Sequence, residues 1–231
     1  MKTAIMQPYF FPYIGYFQLI NAADKFIILD DVNYINKGWI NRNNILVNNK
    51  KTLFTLPLKN ASQNKLINEV SISEDKKWSE KFLKTIMFSY KKAPFFSETF
   101  FLIEKILNFE NELLSFFLYN SIKKTCAYLE INTEIIETSV GYNSKFKADD
   151  KIIDICKKEN TNTYINPIGG QKLYSREKFM QNGINLFFLQ TNEIKYKQFH
   201  VDFIPFLSII DLMMFNSVSE IKNILDNFEL R

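Results

Sequence analysis

The stretch that most constrains this chain is residues 5–44, IMQPYFFPYIGYFQLINAADKFIILDDVNYINKGWINRNN. A short apolar opening at 3–6 meets Gln7-Pro8, and a second proline follows at Pro12. Each proline lacks an amide donor and biases its predecessor away from helix, so the turn leaving the first apolar run is stiff. Gly15 lets backbone approach a neighbour closely, and the helix-like tract around it ends near residues 21–24. A second apolar run, Phe26-Ile27-Ile28-Leu29, stops at Asp30-Asp31. The outline is strand, kinked turn, helix, strand. Open α/β sheets bind ligands beyond the carboxyl ends of their strands, where Gln7, Asp30 and Asp31 would gather.

The second half alternates in the same way. Residues 134–138, 163–166 and 184–190 read as strands, and 147–158 and 173–181 as helices. That pattern predicts a mostly parallel sheet of the Rossmann-like α/β class. Between the halves, 51–58 and 66–72 read as strands around a 60–64 loop. Residues 73–129 then turn helical. Trp78, Phe82, Ile86 and Tyr90 recur every four residues behind polar capping residues at 73–76. Ala93-Pro94 breaks the run before helices at 96–108 and 112–129. The reading is one α/β domain over 1–231 carrying a helical insertion at about 73–129, closed by a capping box at Ser217-Val218-Ser219-Glu220 and a helix to about 228.

Charge and cysteine usage exclude several classes. Lys+Arg 29 against Asp+Glu 25 gives a formal net charge of +4, with lysines scattered among acids, so no phosphate track for nucleic acid is expected. The longest apolar tract, 203–215, is interrupted by Pro205, Ser208 and Asp211 and falls short of the ~20 residues that cross a bilayer. No membrane insertion is expected. Cys126 and Cys156 lie far apart and nothing like a signal peptide precedes Pro8, so a cytoplasmic protein with buried thiols is expected. The single histidine, His200, between Phe199 and Val201, reads as structural or surface. A His-rich zinc site is excluded, no Cys-x-x-Cys occurs, and no Gly-x-Ser-x-Gly elbow supplies a nucleophile.

Several polar clusters remain as candidates. Lys37, Trp39, Asn41, Arg42 and Asn43 crowd a segment just after the second strand, where such side chains clamp phosphates, carboxylates or sugar hydroxyls, or simply form an exposed loop. Tyr9 and Tyr13 bring hydroxyls to the stiff turn. Asn166, Gly169 and Gly170 sit where a strand gives way to a helix, and paired glycines there can offer free amides to an anion, although neither phosphate-loop spacing is present. Ser208 and Asp211 share a helical face, with Ser208 placed to cap it.

Together Gln7-Pro8-Tyr9-Phe10-Phe11-Pro12-Tyr13-Ile14-Gly15-Tyr16-Phe17, Asp30-Asp31-Val32, Lys37-Gly38-Trp39-Ile40-Asn41-Arg42-Asn43, Tyr164-Ile165-Asn166-Pro167-Ile168-Gly169-Gly170 and Leu207-Ser208-Ile209-Ile210-Asp211 resemble the signature segments of WbqC-like proteins. The resemblance covers essentially the whole chain. It implies a bacterial cytosolic protein tied to O-antigen or other surface-glycan synthesis, with acylation of an amino sugar as its most concrete chemistry. Many such sequences carry histidine where Met6 stands and another near Phe82. The opening order also resembles the nucleotidyltransferase-like α/β fold, with Tyr13-Ile14-Gly15-Tyr16 at the positions of that fold's His-x-Gly-His. Tyrosines carry no positive charge at neutral pH, so phosphates would fall to Lys37 or Arg42.

The expected activity is acyl or aminoacyl (glycyl-type) transfer to the amine of a nucleotide-linked aminodeoxy sugar. Asp30 or Asp31 would take the ammonium proton, Lys37 and Arg42 would hold phosphates, and Gln7, Tyr9, Asn43 and Asn166 would orient hydroxyls. The alternatives are a noncatalytic binder of a nucleotide sugar or pathway partner, and an ATP-dependent amide ligase. The residues name no cofactor or acyl donor, and a homo-oligomer stays open. The reading requires Gln7, the aspartate pair and residues 37–43 to line one cavity.

Overall fold

A computed structural model describes residues 1–73, 75–199 and 202–231, so His200 lies outside the described residues. In chain order the elements are β1 (Lys2–Met6), α1 (Ile14–Asn21), β2 (Lys25–Ile28), β3 (Arg42–Val47), β4 (Lys50–Thr55), β5 (Leu58–Lys59), β6 (Ser71–Ile72), α2 (Lys76–Tyr90), α3 (Phe96–Leu107) and α4 (Leu114–Tyr128). There follow β7 (Glu134–Ile136), α5 (Ala148–Lys158), β8 (Thr163–Pro167), α6 (Arg176–Gln181), β9 (Asn185–Thr191), α7 (Ile209–Phe215), α8 (Val218–Leu225) and β10 (Phe228–Leu230).

Six strands form one sheet in the order β10-β9-β8-β1-β2-β7. All neighbours are parallel except the antiparallel pair of β9 and β10. The α/β architecture with a mostly parallel sheet is therefore as the sequence predicts. Alternation along the strands divides the core in two. Ala4, Phe26, Ile165 and Leu189 face the side covered by α1, α2, α3, α4, α7 and α8, whereas Ile5, Ile27, Tyr164 and Phe188 face Ile152, Ile155 and Cys156 of α5 and Phe179 of α6. From β1 the chain crosses to β2 on one side, and from β8 to β9 on the other. The sheet order thus reverses between β1 and β8, the arrangement that leaves a crevice at the carboxyl edge.

The Pro8–Pro12 aromatics are mostly core. Phe10 and Phe11 are fully buried, and Phe10 packs its ring against Phe54 of β4, Trp78 of α2 and Phe117 of α4. Burying each such ring is worth about 1.5–3 kcal/mol, which pins the turn to β4, α2 and α4. The four-residue spacing in α2 places Phe82, Ile86 and Tyr90 in the same core, and Asp75 caps the helix by accepting from the Lys77 amide at 3.1 Å. Both cysteines are free and buried. Among the described residues no helix is long and apolar enough to cross a membrane.

Four local expectations change. Residues 42–47 form the first strand of a hairpin rather than part of a polar loop, turned through Asn48 (φ 49°) and Asn49 (φ 61°), the left-handed pair that a two-residue hairpin turn needs. Its asparagines disguise it: Asn43 and Asn44 are buried, and Asn43 donates to the Phe11 carbonyl at 2.7 Å. Residues 67–69 are a 3-10 turn, not strand, because the Glu69 carboxylate accepts the Leu66 amide at 2.8 Å and folds the segment back. The helix after the glycine pair starts at Arg176, capped by Ser175, instead of at 173. The last helix stops at Leu225, and the chain then adds β10 to the sheet edge.

Candidate functional site

A cleft of about 900 Å³ opens at the carboxyl ends of β8 and β9. Its floor is Ile168, just past β8, and Leu189, Gln190 and Thr191 at the end of β9, and Tyr13 and Ile14 bring in the first turn of α1. No side chain caps that turn. From the connection between β9 and α7, residues 192–196, 203 and 205–208 form the outer wall. A connection this long is usually functional in a compact α/β fold.

The polar groups of the cleft are few and held in place. Gln18, fully buried in α1, donates to the carbonyls of Ile224 (2.8 Å) and Asn227 (3.0 Å), which fixes its oxygen to accept the Thr191 hydroxyl at 2.7 Å. The Tyr13 ring lies over Gly15, where a Cβ would stand only 2.4 Å from it, so glycine is needed for this close approach. Burial raises the Tyr13 phenol above its usual pKa, an effect that the Thr191 hydroxyl partly offsets. Glu193 and Lys195 pair at 2.6 Å on the wall, and the ammonium holds the Glu193 carboxyl below its usual range.

Asp211 fastens the wall from within. Its carboxylate, wholly buried, accepts from the hydroxyls of Tyr90 (2.8 Å) and Tyr196 (2.7 Å) and from the Gln198 amide (2.8 Å). Burial raises its pKa and the three donors work against that rise. Tyr196 lines the cleft, so the carboxylate acts on the cleft through this ring. Ser208 caps α7 by accepting the Ile210 amide at 3.3 Å and donates to the Phe11 carbonyl at 2.8 Å.

The aspartate pair lies elsewhere on the same sheet edge, at the ends of β2 and β7. Asp30 is 2% exposed and accepts from the Ser115 hydroxyl (2.5 Å), the Thr138 hydroxyl (2.8 Å) and the Ser139 amide (3.1 Å). The Ser139 hydroxyl accepts the Asp30 amide at 3.2 Å and donates to the Asp31 carboxylate. Lys151 of α5 pairs with the other Asp31 oxygen at 2.6 Å and donates to the Asp31 carbonyl at 3.0 Å. Among the described residues no group of three or more His, Cys, Asp or Glu side chains is placed to hold a metal ion.

Residues 7–223, which span both regions, match the WbqC-like protein family. The chain belongs to that family. It is also 27% identical over 215 residues to a Mycobacterium tuberculosis (strain ATCC 25618 / H37Rv) protein named uncharacterized protein Rv1507c, a match covering 92% of each chain. No solved structure matches.

Of the residues singled out in this WbqC-like sequence, Tyr13 and Ser208 line the cleft together. Gln7, Asp30, Asp31 and residues 37–43 do not line it, so the single cavity required of them does not form there. The 37–43 cluster splits. Lys37 and Trp39 are exposed, and Arg42 donates to the Gly38 carbonyl at 2.9 Å with its guanidinium 5.7 Å from the Trp39 ring. Asn41 and Asn43 turn inward onto backbone carbonyls. Gln7, at the end of β1, accepts the Tyr16 hydroxyl on its carbonyl at 2.9 Å, and burial pushes the neighbouring Tyr9 phenol up to about 12. Asn166 accepts the Tyr164 hydroxyl at 3.0 Å and donates to the Pro167 carbonyl at 3.0 Å. Gly170 packs against that amide so closely that a Cβ would lie 1.9 Å from it, whereas Gly169 faces open space.

The wall residues Thr191, Asn192, Glu193, Lys195, Tyr196 and Phe206 escaped the sequence reading. A usable signal was present: Thr191-Asn192-Glu193 is a polar cluster directly after an apolar strand, the same pattern that drew attention to Asp30 and Asp31. Ser139 and Lys151 carried no such signal, because only the fold brings them to the aspartates.

Proposed function

We propose that the cleft binds a nucleotide-linked aminodeoxy sugar and that the protein transfers an acyl or aminoacyl group to the sugar's amine in bacterial surface-glycan synthesis. The carrying observation is the cleft itself, about 900 Å³ and mostly apolar with a few oriented polar groups, at the carboxyl ends of β8 and β9 beside the reversal of strand order. That is the usual site and character of a small-molecule pocket, and its size suits a ligand larger than a free sugar. Glu193, one of whose oxygens is held by Lys195, suits an ammonium group through the other, and Tyr13, Thr191 and Asn192 suit sugar hydroxyls. In the reaction the neutral amine attacks an activated ester or thioester carbonyl. A C–N bond forms, the donor's C–O or C–S bond breaks, and the amine's proton leaves to the departing group or to water.

The resemblance to WbqC-like proteins supports the surface-glycan context, and because Asp30 and Asp31 lie outside the cleft, the reaction leaves the amine's proton to the departing group or to water. One observation favours a second reading, a noncatalytic nucleotide-sugar binder: both carboxylates are engaged by internal donors. Incubating the purified protein with dTDP-linked and UDP-linked amino sugars and acyl or aminoacyl donors, then reading mass, separates the two. Acylated sugar is the expected product. Saturable binding without any mass gain favours the binder, and neither binding nor product overturns both.

A further inference from the structure

We infer that Phe206 and Lys51 form the nucleotide-recognising lip of the cleft, with the Phe206 ring stacking on the base and the Lys51 ammonium holding a phosphate. This rests on the nucleotide-sugar reading and adds which end of the ligand sits at the mouth.

Three observations carry it. Phe206 lines the cleft yet is 76% exposed, and no other aromatic ring stacks on it among the described residues. An isolated exposed phenylalanine needs no explanation, but one on the rim of the main cavity offers an apolar face to a planar group. Second, its backbone has φ 57°, the left-handed region that a bulky L residue enters only at a cost in free energy. Such residues persist where their surroundings over-determine them, and they cluster at ligand clamps.

The surroundings here do over-determine it. On one side the Gln198 amide group exchanges hydrogen bonds with the backbone of Ile204 (2.9 and 3.1 Å). On the other, the Ser208 amide donates to the Asn44 carbonyl at 2.8 Å and the Ile209 amide to the Pro12 carbonyl at 2.9 Å. Phe206 is therefore displayed from a pinned loop, and little freedom is lost when a base stacks on it. Third, Lys51 reaches across from β4, its ammonium 5.8 Å from the Phe206 ring centroid and 3.5 Å from the Pro205 carbonyl. With the cation over one face of the ring, the other face is left to a base, an arrangement that suits the phosphate and base of a nucleotide, and base–aromatic stacking is tolerant of base identity.

Affinities of dTDP, UDP, their amino-sugar conjugates and an amino-sugar 1-phosphate are measured by calorimetry for the wild type, Phe206→Ala, Phe206→Trp, Phe206→Gly and Lys51→Met. Phe206→Ala is expected to weaken the nucleoside diphosphates and the nucleotide sugars alike by about 10-fold, leaving the sugar phosphate unchanged, and Phe206→Trp to restore binding. Lys51→Met should weaken them about 3-fold, an effect that fades with added salt. Phe206→Gly relieves the left-handed strain, so its melting temperature should rise while nucleotide affinity falls, which separates recognition from folding. Nucleotide sugars that bind Phe206→Ala as tightly as the wild type overturn the lip and leave the nucleotide-sugar reading standing. No binding of any nucleotide sugar to the wild type overturns both.

Discussion

Two regions share the carboxyl edge of one sheet and differ in almost every physical respect. At β2 and β7, Asp30 and Asp31 are surrounded by Ser115, Thr138, Ser139 and Lys151, and the groups of this corner satisfy one another. At β8 and β9 the surface is mostly apolar, the polar groups are sparse, and about 900 Å³ is open. Dense polarity in a sequence therefore marks the place where the fold stitches itself together. The corner joins α4, the segment after β7 and α5 to the sheet, whereas the cleft leaves open volume beside its few polar groups.

The largest effect that tests this contrast is expected from Asp30→Ala. It leaves the Ser115 and Thr138 hydroxyls and the Ser139 amide without their acceptor, and should cost about 3 kcal/mol of stability, read from the urea midpoint, with nucleotide-sugar affinity unchanged in the folded fraction. A stable Asp30→Ala protein that binds ligand but transfers nothing would make this carboxylate catalytic and erase the distinction.

A smaller effect is expected at Asp211, where the cleft wall is fastened. Asp211→Asn turns one acceptor oxygen into a donor facing Tyr90, or Tyr196 and Gln198, at about 2 kcal/mol. The pH dependence has a definite sign. Burial raises the Asp211 carboxyl in the folded state, so the native protein binds this proton more tightly than the unfolded chain does. Its stabilising contribution is full below the unfolded pKa of about 4 and is lost as pH rises through the folded value. Urea titrations from acid to neutral pH should show the wild type's advantage over Asp211→Asn shrinking as pH rises; an advantage that grows with pH would mean a depressed carboxyl.

The smallest effect belongs to Trp39→Ala. This side chain is 51% exposed and outside both regions, so stability should change by no more than about 0.5 kcal/mol and cleft affinity not at all. A clear loss of nucleotide-sugar binding would extend the cleft to residues 37–43.

Much of this was legible in the chain. Pro8, Pro12 and the apolar runs at 3–6 and 26–29 sufficed for the first strand, turn, helix and strand, because prolines and strand periodicity act locally. The spacing in α2 and the capping box at Ser217 were legible for the same reason. The hairpin from Arg42 to Thr55 was obscured by asparagines whose amides are satisfied only by distant carbonyls such as that of Phe11.

What the sequence determined by itself was local: which segments are strands and helices, and that a mostly parallel sheet is needed to bury them. Tertiary structure decided which polar groups would be spent. Ser139 and Lys151 are far in sequence from Asp30 and Asp31, yet Ser139 hydrogen-bonds both and Lys151 pairs with Asp31 once α5 and the end of β7 are packed. Residues 192–196, 203 and 205–208, bearing fewer obvious signals, became the cleft wall because Asp211, Tyr90 and Gln198 hold it beside α1. A side chain's availability depends on every partner within a few ångströms, and chain order alone does not supply those partners.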